Sequence, residues 1–337
     1  MTRLRHSRTL DPGLRRIRHG SGFRYVDAAG EPVDADTKQR IKELVIPPAW
    51  EDVWICPWPN GHIQATGVDD AGRRQYLYHP QWRERRDRLK HDHALEFARR
   101  LPKIRAIVDD GLAGDGLGRE RVLCAAVALL DVGVFRIGNN QYAQANGSYG
   151  LSTLRRKHVR IHKGEAEFSY LAKGGLKRAE HISDPRVVAV LRGLLRRKGG
   201  GYQLLAFHED SRWQPIRSQH VNDFLREISG MEITAKDFRT WHATVFAAVA
   251  LSVSTHADSS QTARRRAVTR AVAETAAYLG NTPAVCRASY IDSRLIDRFL
   301  HGETIATALP DLGRDTPPGV PAIQGDAEHA VLRLLSD

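Results

Sequence analysis

Up to Pro80 the chain alternates apolar and polar residues in short runs broken by turn formers, the two-residue period of strands. Gly22–Val26, followed by a turn at Ala29-Gly30, predicts a hairpin. Val53–Pro57, the Asn60-Gly61 turn, His62–Val68 and Arg74–Tyr78 predict an antiparallel meander, because Asn-Gly tolerates the positive φ of tight hairpin turns. Pro47-Pro48 stops the helix expected over Thr37–Leu44, since proline lacks the N–H that would continue it. From Gln81 the period lengthens to that of a helix. Arg83–Lys90 carries five basic and two acidic residues and leads into a helix with Leu95 and Phe97, a segment suited to bridging two domains.

Further helices are expected over Arg119–Leu130, from the Asp184-Pro185 start to Arg197, and from Ser218 to near Gly230. Another starts with Asp237 as cap and presents Phe238, Trp241, Val245 and Val249 on one face. The next spans Arg264–Leu279 and closes at Gly280, and Thr282-Pro283 opens the last before the tail. Val159–His162 and Glu165–Leu171, joined at Lys163-Gly164, predict one hairpin within this helical part. Asp315–Gly319 reads as a Pro/Gly linker and Ala327–Leu335 as a short amphipathic helix. The expectation is an α+β protein: a small β-rich N-terminal domain at 1–80, a larger mainly helical domain at 81–312, and a linker with a short tail at 313–337.

Composition narrows the function class. The 337 residues are 42% hydrophobic, enough for ordinary globular cores. No apolar run approaches the ~18 residues of a membrane span, and no apolar stretch follows the basic start, so neither a membrane nor a secretory route is expected. Cys56, Cys124 and Cys286 lie far apart without a Cys-x-x-Cys pair, which fits a reducing cytoplasm. Lys and Arg number 51 against 39 acidic residues, a formal charge of +12 that attracts polyanions. That names a partner class and no activity.

Common enzyme motifs are absent. There is no phosphate-cradling Gly-x-x-x-x-Gly-Lys-Ser/Thr loop and no His-Glu-x-x-His zinc helix. Lys90-His91-Asp92-His93 places its histidines two apart, on diverging directions of a helix, so no metal site is expected. What remains are basic residues at structural breaks. Arg136 follows the break at Gly133, Lys173 precedes Gly174-Gly175, and Arg239 lies near a helix start; Asn281 and Tyr290 flank a short helix. Singly, they read as surface cations, a helix cap and a half-buried aromatic. Together they contain cationic clamps, a proton donor and a nucleophile, the requirements of metal-free phosphoryl transfer.

An ordered set of motifs carries a family resemblance. Ile46-Pro-Pro-Ala-Trp50, Gly72-Arg-Arg-Gln-Tyr-Leu-Tyr78, Arg136-Ile-Gly138 with Tyr142, and Gly150-Leu-Ser-Thr-Leu154 with His158-Val159 resemble the small poxvirus-like and bacterial type IB DNA topoisomerases. Lys236-Asp-Phe-Arg-Thr240 resembles that family's second-arginine motif, and Leu279-Gly-Asn-Thr-Pro283 with Ala288-Ser-Tyr290 its nucleophile region. The resemblance implies a catalytic domain of the type shared with tyrosine recombinases. It implies Tyr290 as the nucleophile forming a 3′-phosphotyrosyl link, Arg136 and Arg239 as clamps on the scissile phosphate, and Lys173 as donor to the leaving 5′ oxygen. Lys236 takes an accessory basic position, and Asn281 stands where many members carry histidine, able to donate the same hydrogen bond without carrying charge. Arg73, Gln75, Tyr76, Tyr78 and Tyr142 match DNA-contacting positions; strand alternation puts Tyr76 and Tyr78 on one face and Gln75 on the other. The implied protein is a monomeric clamp on double-stranded DNA in the cytoplasm, associated with the nucleoid, that relaxes supercoils without metal, nucleotide or other cofactor.

The chemistry sets a requirement for that assignment. A free tyrosine has a pKa of ~10, so ionising it at pH 7 costs roughly 4 kcal/mol, and nearby cations must stabilise the developing charge. A guanidinium suits the clamp, because its planar fork pairs with phosphate oxygens and stays protonated. Two rivals remain. A tyrosine recombinase typically has His-x-x-Arg where this chain has Lys236-Asp-Phe-Arg239, and usually a helical DNA-binding domain. A non-catalytic DNA-binding homologue would bind without forming a covalent adduct.

Overall fold

The computed structural model describes residues 3–254, 260–312 and 321–336. In chain order the elements are β1 (Leu14–His19), β2 (Gly22–Val26), α1 (Ala35–Glu43), β3 (Glu51–Ile55), β4 (Ile63–Val68), β5 (Arg74–Tyr78), α2 (Pro80–Ala113), α3 (Arg119–Gly133) and α4 (Asn140–Asn146). There follow β6 (Val159–His162), β7 (Glu165–Leu171), β8 (Lys177–Ile182), α5 (Pro185–Arg196), β9 (Ala206–Glu209), β10 (Arg212–Pro215) and α6 (Ser218–Ser229). The remainder is α7 (Ala235–Val253), α8 (Gln261–Leu279), α9 (Pro283–Ser289), α10 (Ser293–Leu300) and α11 (Asp326–Ser336). The chain divides into two compact units, residues up to His91 and residues from Asp92 onward, with the change inside α2. The α+β expectation holds. No described helix is long and apolar enough to cross a membrane.

The first unit is an antiparallel sheet in the order β2-β1-β3-β4-β5 with α1 beside it. Leu14, Ile41, Val53, Ile55 and Ala65 form its core, and Leu77 and Trp50 pack against it. The expected partner of Gly22–Val26 changes here. The strand pairs with β1, and only a single bridge, Val26 to Pro32, spans the Ala29-Gly30 turn. β1 escapes the sequence pattern because Leu-Arg-Arg-Ile-Arg-His carries three arginines and a histidine, with Leu14 its one buried side chain and Ile17 half-buried on the opposite face. Arg16 explains the Ile46–Trp50 motif: its guanidinium donates to the carbonyls of Ile46, Pro47 and Trp50, so that turn is held as scaffold.

The second unit buries α3 and α7 almost all round, as their continuous apolar composition requires. Around them lie α5, α6, α8, α10 and a small antiparallel sheet β6-β7-β8. The sequence pattern showed only β6 and β7. β8 reads as Lys-Arg-Ala-Glu-His-Ile, too charged to announce itself, and it forms by completing the hydrogen bonds of β7. The β9–β10 hairpin, with Asp210 and Ser211 at positive φ, was likewise missed.

The Asp315–Gly319 linker lies outside the described residues, whereas α11 belongs to the core through Ala327, Ala330, Val331 and Leu335. It is also held by charge. Arg105 on α2 forks onto Asp131 of α3 at 2.7 and 3.1 Å and onto Glu328 of α11 at 2.6 and 3.0 Å. Trp241 Nε1 donates to Glu328 at 2.9 Å, and His242 Nε2 lies 3.1 Å from Asp131. Burial by itself would raise the Asp131 carboxyl, but Arg105 and His242 outweigh it and hold the group well below the usual range. Its contribution is therefore complete above the unfolded value of about 4 and is lost as pH falls below it. Glu328→Gln removes one of the two carboxylates facing Arg105 while Asp131 still neutralises it, a loss of about 1–3 kcal/mol. At roughly 2–4 °C per kcal/mol for a unit this size, thermal unfolding should shift down by roughly 5 °C; an unchanged midpoint would show that α11 is not gripped by this pair.

Candidate active site

Arg136 is placed by backbone. Its carbonyl accepts from Leu151 N at 2.7 Å, and that of Ile137 accepts from Ser152 N at 2.8 Å. The two strands of chain touch, for a Cβ on Gly150 would stand 2.6 Å from the Arg136 carbonyl oxygen and from Gly138 Cα. Gly138 itself has φ +83. The Arg136-Ile-Gly138 and Gly150–Leu154 motifs are thus two sides of one backbone contact.

Arg239 comes from α7. The helix begins earlier than expected: Thr234 is the cap and Asp237 completes a capping box, accepting from Thr234 N at 2.8 Å. Arg239 therefore sits past the first turn, and helix N–H groups do not supply its anion affinity. The side chain is 4% exposed. It donates to Val134 O at 2.6 Å and Leu279 O at 2.8 Å, while its Nε has no hydrogen-bond partner among the described residues. Val134 ends α3 in the left-handed region at φ 51, strained for a β-branched residue and held there in part by this contact. Burial, then the charge of Arg136, lowers Arg239 to about 10, and Tyr290 partly opposes the shift. It stays charged at neutral pH.

Both arginines meet the C-terminal end of α8, where helix carbonyls lack intrahelical partners and the dipole is negative. Gly280 closes α8 in the left-handed region at φ +64. Arg136 donates to Gly280 O at 2.8 Å and to the side-chain oxygen of Asn281. That contact assigns the amide orientation, and Asn281 Nδ2 is left buried without a hydrogen-bond partner among the described residues. Asn281 does not cap α9; Thr282 does, accepting from Val285 N. Tyr290 ends α9, with the Arg239 guanidinium 5.5 Å and Lys236 Nζ 5.7 Å from its ring centroid, a cation–π range.

Lys173 is exposed in the turn between β7 and β8. It opens with Arg136, Gly138, Asn139 and Tyr149 onto a cavity of about 600 Å³. Lys173 shares that cavity with Arg136, which in turn reaches the end of α8 through Gly280 and Asn281. In the first unit Tyr76 and Tyr78 lie exposed on one face of β5, rings stacked 6.0 Å apart at 14°. Gln75 is turned away and donates to Asp69 at 2.8 Å, as Arg73 Nε does at 2.9 Å. The Arg73 and Gln75 contacts, among others, hold Asp69 down at about 2. Tyr142 belongs to α4, and its side chain lies outside the described residues.

Sequence reasoning missed Thr244. Its buried hydroxyl accepts from Asp292 N at 3.1 Å and lies 3.3 Å from the carbonyl oxygen of Tyr290, pinning the backbone on both sides of Ile291 to the helix that carries Arg239. A threonine within an apolar helix gives no local sign of a contact with a residue far along the chain. It also missed Arg178, which donates to Tyr278 O at 3.0 Å and pairs with Glu180.

Comparison with known proteins converges on one group. Residues 79–298 match the family model of the eukaryotic DNA topoisomerase I catalytic core, and residues 22–69 that of the bacterial DNA topoisomerase IB N-terminal domain. The chain is 30% identical over 297 residues to DNA topoisomerase 1B of Acanthamoeba polyphaga mimivirus, covering 86% of this chain and 88% of that protein. It is 21% identical over 288 residues to DNA topoisomerase 1 of Rabbit fibroma virus, covering 83% and 87%. Against DNA topoisomerase 1B of Vaccinia virus (strain Copenhagen) the identity is 21% over 241 residues, 69% of this chain and 71% of the other.

Proposed function

The chain belongs to the type IB DNA topoisomerase family, and from that premise we propose that it relaxes supercoiled duplex DNA by cutting and resealing one strand through Tyr290. One observation carries the assignment. Arg136 and Arg239 reach neighbouring carbonyls of one helix end, Gly280 and Leu279, while Arg239 also lies against the Tyr290 ring. Two fixed cations beside a tyrosine form a seat for a phosphodiester with a nucleophile at its edge. The unpartnered Arg239 Nε and Asn281 Nδ2 are buried donors that cost free energy as they stand and would be satisfied by non-bridging phosphate oxygens.

Each group then has one task. The Tyr290 oxygen attacks phosphorus and forms the 3′-phosphotyrosyl bond, its proton passing to water. Arg136, Arg239 and Asn281 take up the added charge of the five-coordinate transition state, and Lys236 adds positive field at the phenol. Lys173 protonates the departing 5′ oxygen. The cut strand swivels, and the 5′ hydroxyl attacks the phosphotyrosyl to reverse the sequence. One phosphoester replaces another, so no external energy source is needed. The exposed Tyr76–Tyr78 pair, with Arg73, Gln75 and Tyr142, supplies contacts to the duplex that orient it without taking part in the chemistry.

The test is relaxation of a supercoiled plasmid in EDTA without ATP. Complete relaxation is expected. A requirement for ATP or a divalent cation would overturn this bond-conserving scheme. Binding without relaxation would instead favour a recombinase or a non-catalytic DNA-binding protein, and trapping of a covalent adduct separates those two.

A further inference from the structure

Three consecutive carbonyls at the end of α8 are each held by a different arginine. Arg178 takes Tyr278 at 3.0 Å, Arg239 takes Leu279 at 2.8 Å and Arg136 takes Gly280 at 2.8 Å. Two of these arginines are accounted for by the scissile phosphate. Arg178 is not. It stands on β8, five residues beyond Lys173 and immediately after the turn that carries that lysine. The turn is short and closed on itself, with Ala172 N donating to Leu176 O at 2.8 Å and Gly175 N to Ala172 O at 3.0 Å. Its place in the molecule therefore follows that of the strands beneath it, where Tyr170 pairs with Arg178 and Leu171 with Lys177.

The Arg178 fork is itself fixed. One arm pairs with Glu180, two residues along and so on the same face of the strand. The other reaches α8, and the approach is close: a Cβ on Gly280 would stand 3.3 Å from an Arg178 terminal nitrogen. The acceptor is held as well, because the Tyr278 ring stacks on Phe246 of α7 at 4.6 Å and 9°. Burial pushes the Tyr278 hydroxyl up to about 12, with Glu180 adding to it. Arg178 thus joins the strand bearing Lys173 to the helix end bearing Asn281 and leading to Tyr290.

We propose that Arg178 is a positioning residue that sets Lys173 against the leaving oxygen by tying the β7–β8 turn to the end of α8. It touches neither the phosphate nor the nucleophile; it fixes the distance between the proton donor and the bond that breaks. The inference rests on the donor role proposed for Lys173.

The experiment is single-turnover cleavage of a nicked duplex that carries a site mapped on plasmid DNA, made with either an ordinary 5′ oxygen or a 5′-bridging sulfur at the scissile bond. A thiolate leaves without needing a proton, so a defect in protonation disappears with the sulfur substrate. Arg178→Ala is expected to slow cleavage of the oxygen substrate by about 10²-fold, the scale of a misplacement near 1 Å, and to cleave the sulfur substrate at close to the wild-type rate. Arg178→Lys keeps the charge but cannot span Tyr278 and Glu180 together; it should show the same selective defect, smaller in size, and serves if the alanine variant does not fold. Equal slowing of both substrates, or no slowing of either, overturns the proposal. Lys173→Ala is run beside them. Sulfur rescue of Lys173→Ala without rescue of the Arg178 variants overturns the positioning role alone, whereas failure to rescue Lys173→Ala removes the donor assignment and this inference with it.

Discussion

Tyr290→Phe is expected to bind supercoiled DNA as the wild type does, to leave it fully supercoiled, and to form no covalent protein–DNA adduct. The substitution removes one oxygen and little else. The ring can still lie against Arg239 and Lys236, and what goes with the oxygen is the hydroxyl's own interaction with Arg239. The backbone is still pinned by Thr244 and by the Tyr290 N–H donating to Cys286 O at 3.0 Å. On the roles proposed above, Arg136, Arg239 and Asn281 remain to hold phosphate, so affinity should change little. Loss of a covalent nucleophile elsewhere costs a factor on the order of 10⁶, and here the intermediate itself cannot form. Gel shift and plasmid relaxation, run on the same preparation, read both halves. Residual relaxation above background by the phenylalanine variant would remove Tyr290 as nucleophile.

Lys173→Ala is expected to slow cleavage by about 10²–10⁴-fold, the contribution of a well-placed general acid, and to regain most of the rate with a 5′-bridging sulfur. An ammonium can release a proton to the leaving oxygen, whereas a guanidinium at this position could not. The lysine is exposed at the rim of the cavity it shares with Arg136, so its removal should hardly affect folding. Thermal unfolding within a degree or two of wild type is therefore part of the expectation. If the sulfur substrate is cleaved as slowly as the oxygen one, Lys173 acts on something other than the leaving group.

Much of the architecture was legible before any coordinates. Helix starts and stops are local chemistry: Asp184-Pro185, Ser218 and Gly280 each mark the end they were expected to mark. The N-terminal meander is likewise visible in its alternation, although Asn60-Gly61 takes no positive φ and sits within the longer connection 56–62 between β3 and β4. The misses share a cause. β1 and β8 are rich in charge and become strands only because a neighbour offers its free hydrogen bonds, which no local pattern reveals. The start of α7 was misplaced by a turn because Thr234 and Asp237 are both good caps, and the capping box uses the two together.

The site divides in the same way. Residue types and punctuation, joined to the family resemblance, mark Arg136, Lys173, Arg239, Asn281 and Tyr290 as candidates for one chemical set, because phosphoryl transfer draws on few kinds of side chain. Their arrangement could not be read in this manner. Arg136 and Asn281 are 145 residues apart in the chain and meet only because a glycine closes α8 beside the Gly138–Gly150 contact. Thr244 and Arg178 act through backbone carbonyls, and a carbonyl has no residue type to recognise. A linear sequence specifies its own local conformations and the chemistry each side chain can perform; which groups share a carbonyl, a charge or a cavity is decided by packing between distant segments.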